Sequence, residues 1–175
     1  MERQLILRDR DGDIRLGYDD LLKYCTKENV IAAALMLRVG ARAFALLSPG
    51  EPVWRRDLTW RIGFPGEGIL DCVEMISHAV REGRCLRDPD MPSEGAPPAL
   101  PGHFIFKIGY RGRTATLIPT AEIFDDEFRA SVLRWQDEEN DPQGRAAYLA
   151  YKKKKADLIL SMPDETLFRT RIEEA

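Results

Sequence analysis

Asp71, Glu74 and His78 are spaced i, i+3 and i+7, so on a helix they share one stripe, and carboxylates beside an imidazole can bind a metal or relay a proton. The same stripe also reads as a solvated helix face. Cys25 and Cys72 lie in segments expected to pack together, and with His78 they form a thiolate and imidazole set suited to zinc. Without a third ligand, the two cysteines read as core residues. Arg38 and Arg42 stand one helical turn apart in the most apolar part of the chain, where guanidinium groups require anionic partners. An internal pair with Asp71 or Glu74 is the first reading, and a bound carboxylate or phosphate is the second. Glu67 belongs to Phe64-Pro65-Gly66-Glu67-Gly68, a glycine loop whose N–H groups could face an anion. The loop has no GxGxxG spacing and no following Lys-Ser or Lys-Thr, and Glu67 would repel a phosphate, so it reads first as a structural turn.

The elements that must position these residues follow from pattern. Residues 1–17 read as an extended arm with a turn at Asp11-Gly12-Asp13, followed by a polar lead-in from Tyr18 to Leu22. Thr26 is placed to cap a helix running to Leu47, which Ser48-Pro49-Gly50-Glu51-Pro52 stops. That helix is apolar on nearly every side and belongs in a core or a dimer interface. Asp57 to Phe64 alternates as a strand, and the spacing of Ile69, Cys72, Val73, Ile76 and Val80 predicts a helix over 69–82 with Gly83 as its cap. Residues 88–102 hold five prolines and read as a surface loop. His103–Tyr110 and Arg113–Pro119 read as a hairpin closed by Arg111-Gly112. Asp125-Asp126 opens a helix to Glu139, and Asp141-Pro142 opens another to Pro163. The order is helix, strand, helix, strands and terminal helices, an α+β domain spanning 1–175.

Composition narrows the partners. The 175 residues are 44% hydrophobic and 31% charged, with 26 Lys plus Arg against 29 Asp plus Glu and a net charge of −3. An acidic balance argues against phosphate-driven nucleic-acid binding, and the Lys152–Lys155 run reads as a solvated helix face without a stacking platform. Arg38, Gly40 and Arg42 interrupt the one long apolar run, so no membrane span is expected. Three widely spaced cysteines and an N-terminus without a signal-peptide pattern point to the cytoplasm.

Three stretches carry a family resemblance. Leu22-Lys23-Tyr24-Cys25 with the apolar helix through Arg38 resembles the opening helix of the formylmethanofuran dehydrogenase FmdE-like family, which starts from a HGHxCPG motif. Ile69-Leu70-Asp71-Cys72-Val73-Glu74 is similar to that family's CxVDAIQ helix start, and Leu158 to Phe168 to its ILxxPDEELF tail. The resemblance implies a core of helix, strand, helix and three strands with a mixed sheet, a further strand at Arg84–Arg87, a homodimer, and zinc on the motif His and Cys. Where the first motif has His, Gly, His and Cys, this chain has Cys25, Thr26, Lys27 and Asn29, and where the second has Cys it has Gly68. Any zinc held by Cys25, Cys72 and His78 is therefore expected to be weak or absent. The function expected is that of an accessory protein binding a metal or small anionic ligand between the central helices through Arg38, Arg42, Glu67, Asp71, Glu74 and His78. The alternative is an enzyme in which His78, with Asp71 or Glu74, does acid–base work on an anionic substrate held by Arg38 and Arg42.

Overall fold

Residues 3–137 and 141–174 are described by a computed structural model. The fold is α+β, as the pattern predicts, with six helices and eight strands among the described residues. The N-terminal arm is a hairpin of β1 (Leu5–Asp9) and β2 (Gly12–Leu16), and β3 (Val53–Trp54) pairs with β1 in parallel. Its turn follows from Gly12, whose φ of +122° few side chains tolerate. The expected polar lead-in is a helix, α1 (Tyr18–Cys25), with Asp19 and Asp20 in its first turn and the Asp20 carboxylate accepting from the Gly17 N–H at 2.9 Å.

Thr26 does not cap the long apolar helix. It ends α1 with φ 76°, and α2 (Val30–Leu47) starts from Asn29, whose amide donates to the Cys25 carbonyl. Helix α2 is long and apolar enough to cross a membrane, with mean hydropathy 1.9, yet 67% of it is buried inside the fold. The β1 hairpin seats directly against it: the Leu5 side chain lies 3.0 Å from where a Cβ on Gly40 would stand.

The main sheet runs β5 (Cys85–Arg87), β4 (Thr59–Ile62), β6 (Phe106–Tyr110), β7 (Arg113–Pro119) and β8 (Phe168–Glu174). Only β4 and β5 are parallel, with α3 (Glu67–Ser77) crossing between them, so the sheet is mixed. Trp60 and Ile62 point to the core and Thr59 and Arg61 to solvent, as the alternation of β4 predicts. Helix α3 stops five residues before the expected Glu82, because His78 adopts the left-handed conformation at φ 58° and closes the helix itself. Gly83, at φ 71°, belongs to the turn that feeds β5.

The proline-rich segment 88–102 is an integral cover rather than a bare surface loop. Its Met91 and Ala96 join Ile105 and Ile118 in a second small core. Glu94 pins it across the sheet, with Lys107 and Arg171 each 2.8 Å from its carboxylate.

At the C-terminal end, α4 (Asp126–Asp137) and α5 (Pro142–Ser161) stand where expected, though the expected end of the first at Glu139 lies outside the described residues. The Asp141 carboxylate accepts from the N–H groups of Gln143 and Gly144 at 3.2 and 3.1 Å, which starts α5 before its first-turn proline. After Pro163 the chain makes a short turn, α6 (Asp164–Leu167), and then β8, which pairs along the whole of β7 from Pro119↔Phe168 to Arg113↔Glu174.

Candidate functional site

Arg38 is fully buried, but neither Asp71 nor Glu74 is its partner. It reaches the C-terminal end of α5, donating to the carbonyls of Ile159, Leu160 (3.0 Å) and Met162 (2.6 Å) and to the Asp164 carboxylate at 2.6 Å. One guanidinium thus satisfies the carbonyls that a helix end leaves open and pairs with the carboxylate that follows them. Burial opposes ionisation of Asp164, yet hydrogen bonds from Arg38 and Arg3 hold its pKa below the usual value. The Nε atoms of Arg38 and of Arg42, half-buried one turn away, have no hydrogen-bond partner, but the two terminal nitrogens of Arg38 make four hydrogen bonds. Arg38 is therefore structural, and it is not available to a ligand.

His78 sits at the end of α3, its Nδ1 3.8 Å from Glu74 Oε1. Glu74 is engaged elsewhere: its Oε2 accepts from the Val80 and Arg81 N–H groups at 3.1 Å each, closing the turn after the helix. Burial, then the charges of Arg55, Arg81 and Arg56, push the His78 pKa down against the pull of Glu74, so its surroundings disfavour the imidazolium. Arg55, nearly buried, donates to the Ile76 carbonyl at 3.0 Å and caps the same helix end. His78, Glu74 and Arg81 line a cleft of about 300 Å³ that neither Arg38 nor Arg42 enters. Asp71 lies instead in an adjoining groove with Glu67 and Glu74, and burial raises its pKa. The expected stripe is split between two clefts, and the group meant to hold an anionic substrate is absent from both.

Cys25 and Cys72 do meet. Both are fully buried, and their thiols interact, which lowers the pKa of Cys25 and, with burial, raises that of Cys72 well above its usual range. His78 is not with them: among the described residues no three His, Cys, Asp or Glu side chains are grouped to hold a metal. A closed zinc site takes four ligands. The donor set here is two core thiols, which does not fit one.

The cleft with the chemistry of a binding site lies elsewhere, at the N-terminal ends of the two central helices. Gly68 lets those ends meet: a Cβ there would stand 2.9 Å from both Ala32 Cβ and Asn29 Cγ. Beside this contact opens a cleft of about 370 Å³. Phe104 and Phe124 form its inner wall, stacked at 3.8 Å and 17°. Phe64 meets Phe104 edge-on at 4.9 Å, and Phe128 meets Phe124 at 5.1 Å and 85°. Trp135 of α4 and Tyr148 of α5, stacked at 5.2 Å, line the same cleft.

The polar groups around this cleft are mostly engaged. Lys152 donates to the Glu28 carbonyl at 2.8 Å and lies 4.7 Å over the Tyr148 ring, and burial lowers its pKa. The Glu28 carboxylate pairs with Arg145 at 3.1 Å. The lysine run is thus no uniform solvated face: Lys152 and Lys155 are half-buried, and only Lys153 and Lys154 are exposed. Of the candidate metal, acid–base and anion side chains expected from sequence, Glu67 reaches this cleft, as an exposed carboxylate at its rim, together with Phe64, Gly66 and Gly68 of its loop. The aromatic residues were legible only as apolar positions. Phe124 and Phe128 at i, i+4 and the tryptophan and tyrosine on adjacent helices were the available signal. No protein-family model matches the chain, and no curated protein matches it.

Proposed function

We propose that this chain is a small-ligand-binding accessory protein resembling the FmdE-like family, homodimeric and without catalysis of its own, whose ligand enters the cleft where α2 and α3 begin. The observation that carries this reading is the aromatic lining. Four phenylalanines, a tryptophan and a tyrosine converge on one concave space with a few polar groups at its edge, the usual composition of a small-molecule site. The three stretches that carry the resemblance meet in the fold. The first and second bring Cys25 and Cys72 together, and the tail supplies Asp164 to Arg38. The expected anion site at Arg38 and Arg42 is not retained.

Native mass spectrometry of untagged protein tests the reading. A small-molecule adduct is expected on the wild type and lost in Val132→Trp, which fills the cleft from α4. An adduct that persists in that variant would place the ligand elsewhere. Sedimentation velocity at micromolar protein tests the dimer, and a purely monomeric boundary would remove it.

A further inference from the structure

The cleft also limits what kind of molecule it takes, an inference that rests on the reading above. We infer that its ligand is an uncharged, planar aromatic ring system of two or three fused rings.

Shape is the first argument. The inner pair, Phe104 and Phe124, is fully buried and consumed in its own stack, whereas Phe64 and Phe128 stand edge-on to that pair and stay half-buried at the cleft. The Trp135–Tyr148 stack supplies a second aromatic surface on the same cleft. A planar ring extends these edge-to-face and offset arrays, each such pair adding to what area burial alone provides, and a flexible alkyl chain does not. The space of about 370 Å³ is at the small end of ligand sites and limits the ring system accordingly.

Charge is the second argument. Among the described residues the one cation in the wall is Lys152, which already donates to the Glu28 carbonyl and rests on the Tyr148 ring, and the Glu28 carboxylate is held by Arg145. An anion would meet Glu67 at the rim and a lysine already engaged, whereas a cation would gain Glu67 only at the exposed, solvent-screened rim and would be repelled by Lys152 in the wall. An uncharged ring meets neither cost.

Isothermal titration of the full chain with four probes separates the terms: 1-naphthalenemethanol, 1-naphthoate, 1-naphthylmethylammonium and 1-decanol. The neutral naphthalene is expected to bind, with both charged congeners and the linear alcohol weaker by about tenfold or more. Phe128→Leu and Trp135→Leu, which stay apolar but remove a ring, are expected to weaken the neutral probe by about threefold to tenfold and to change decanol binding much less, with the thermal melt confirming that each variant is folded. Equal binding of decanol, or tighter binding of either charged probe, overturns the ligand class while leaving a binding cleft in place. No binding of any probe overturns both the class and the reading on which it rests.

Discussion

Arg38 shows most directly how a single side chain holds distant parts of this chain together. It crosses 126 positions of sequence to Asp164 and satisfies three carbonyls on the way. Arg38→Met removes the donors and leaves those carbonyls buried, and the loss is expected to be about 3–5 kcal/mol by urea denaturation at neutral pH. Asp164 has a depressed folded pKa, so its contribution is present above the ordinary carboxylate value and is lost as pH falls through the folded one. Asp164→Asn should therefore lower the urea midpoint near neutrality and flatten its decline on acidification; parallel acid limbs in wild type and variant would contradict this. His78 should titrate below the ordinary imidazole value of about 6.5 in an NMR pH series, because burial and three arginines disfavour its cation. The sequence shows that Arg38 must be paired, since an apolar helix cannot hold a bare guanidinium. It does not show with what, because Asp71, Glu74 and Asp164 are equivalent acids until α5 is laid against α2.

At the scale of elements, α2 is the centre of packing, and Leu35, fully buried, is its most direct probe. Leu35→Asp places an unpaired carboxylate in the core and should unfold the protein, read as loss of the cooperative thermal transition. The proline-rich cover makes a gentler test. Glu94 holds it to β6 and β8 through Lys107 and Arg171, so Glu94→Ala should speed amide exchange in 88–102 while the melting temperature changes little. Unchanged exchange there would show that the small core of Met91, Ala96, Ile105 and Ile118 suffices. Elements with strong local signals were legible: the β6–β7 turn at Arg111-Gly112, the Asp141-Pro142 start of α5, and the apolar α2. The termination of α3 was not, because a histidine rather than the nearby glycine takes the left-handed position. Strand β8 was missed because its alternation of Phe168, Thr170 and Ile172 with charged residues is too polar to stand out; its pairing with β7 is what makes it a strand.

At the scale of the whole molecule, the N-terminal ends of α2 and α3, drawn together at Gly68, form an aromatic cleft with α4 and α5. Several side chains that draw attention in the sequence are spent on structure: the thiols on each other, Arg38 on a helix end, Glu74 on a turn. The two thiols are fully buried within the core, so dialysis against a strong chelator should leave the melting temperature unchanged, whereas a large drop would show that two thiols recruit further ligands. The cleft itself was illegible because it unites residues from Glu28 to Lys152, and no local period marks them as neighbours. Its existence as a ligand site is the central claim, and a ¹⁵N-labelled titration with 1-naphthalenemethanol tests it most directly. Shifts should concentrate on Gly66 to Ile69, on Phe128 to Trp135 and on the Trp135 indole, and stay small around His78. Shifts centred on the His78 cleft, or none at saturating probe, would contradict it.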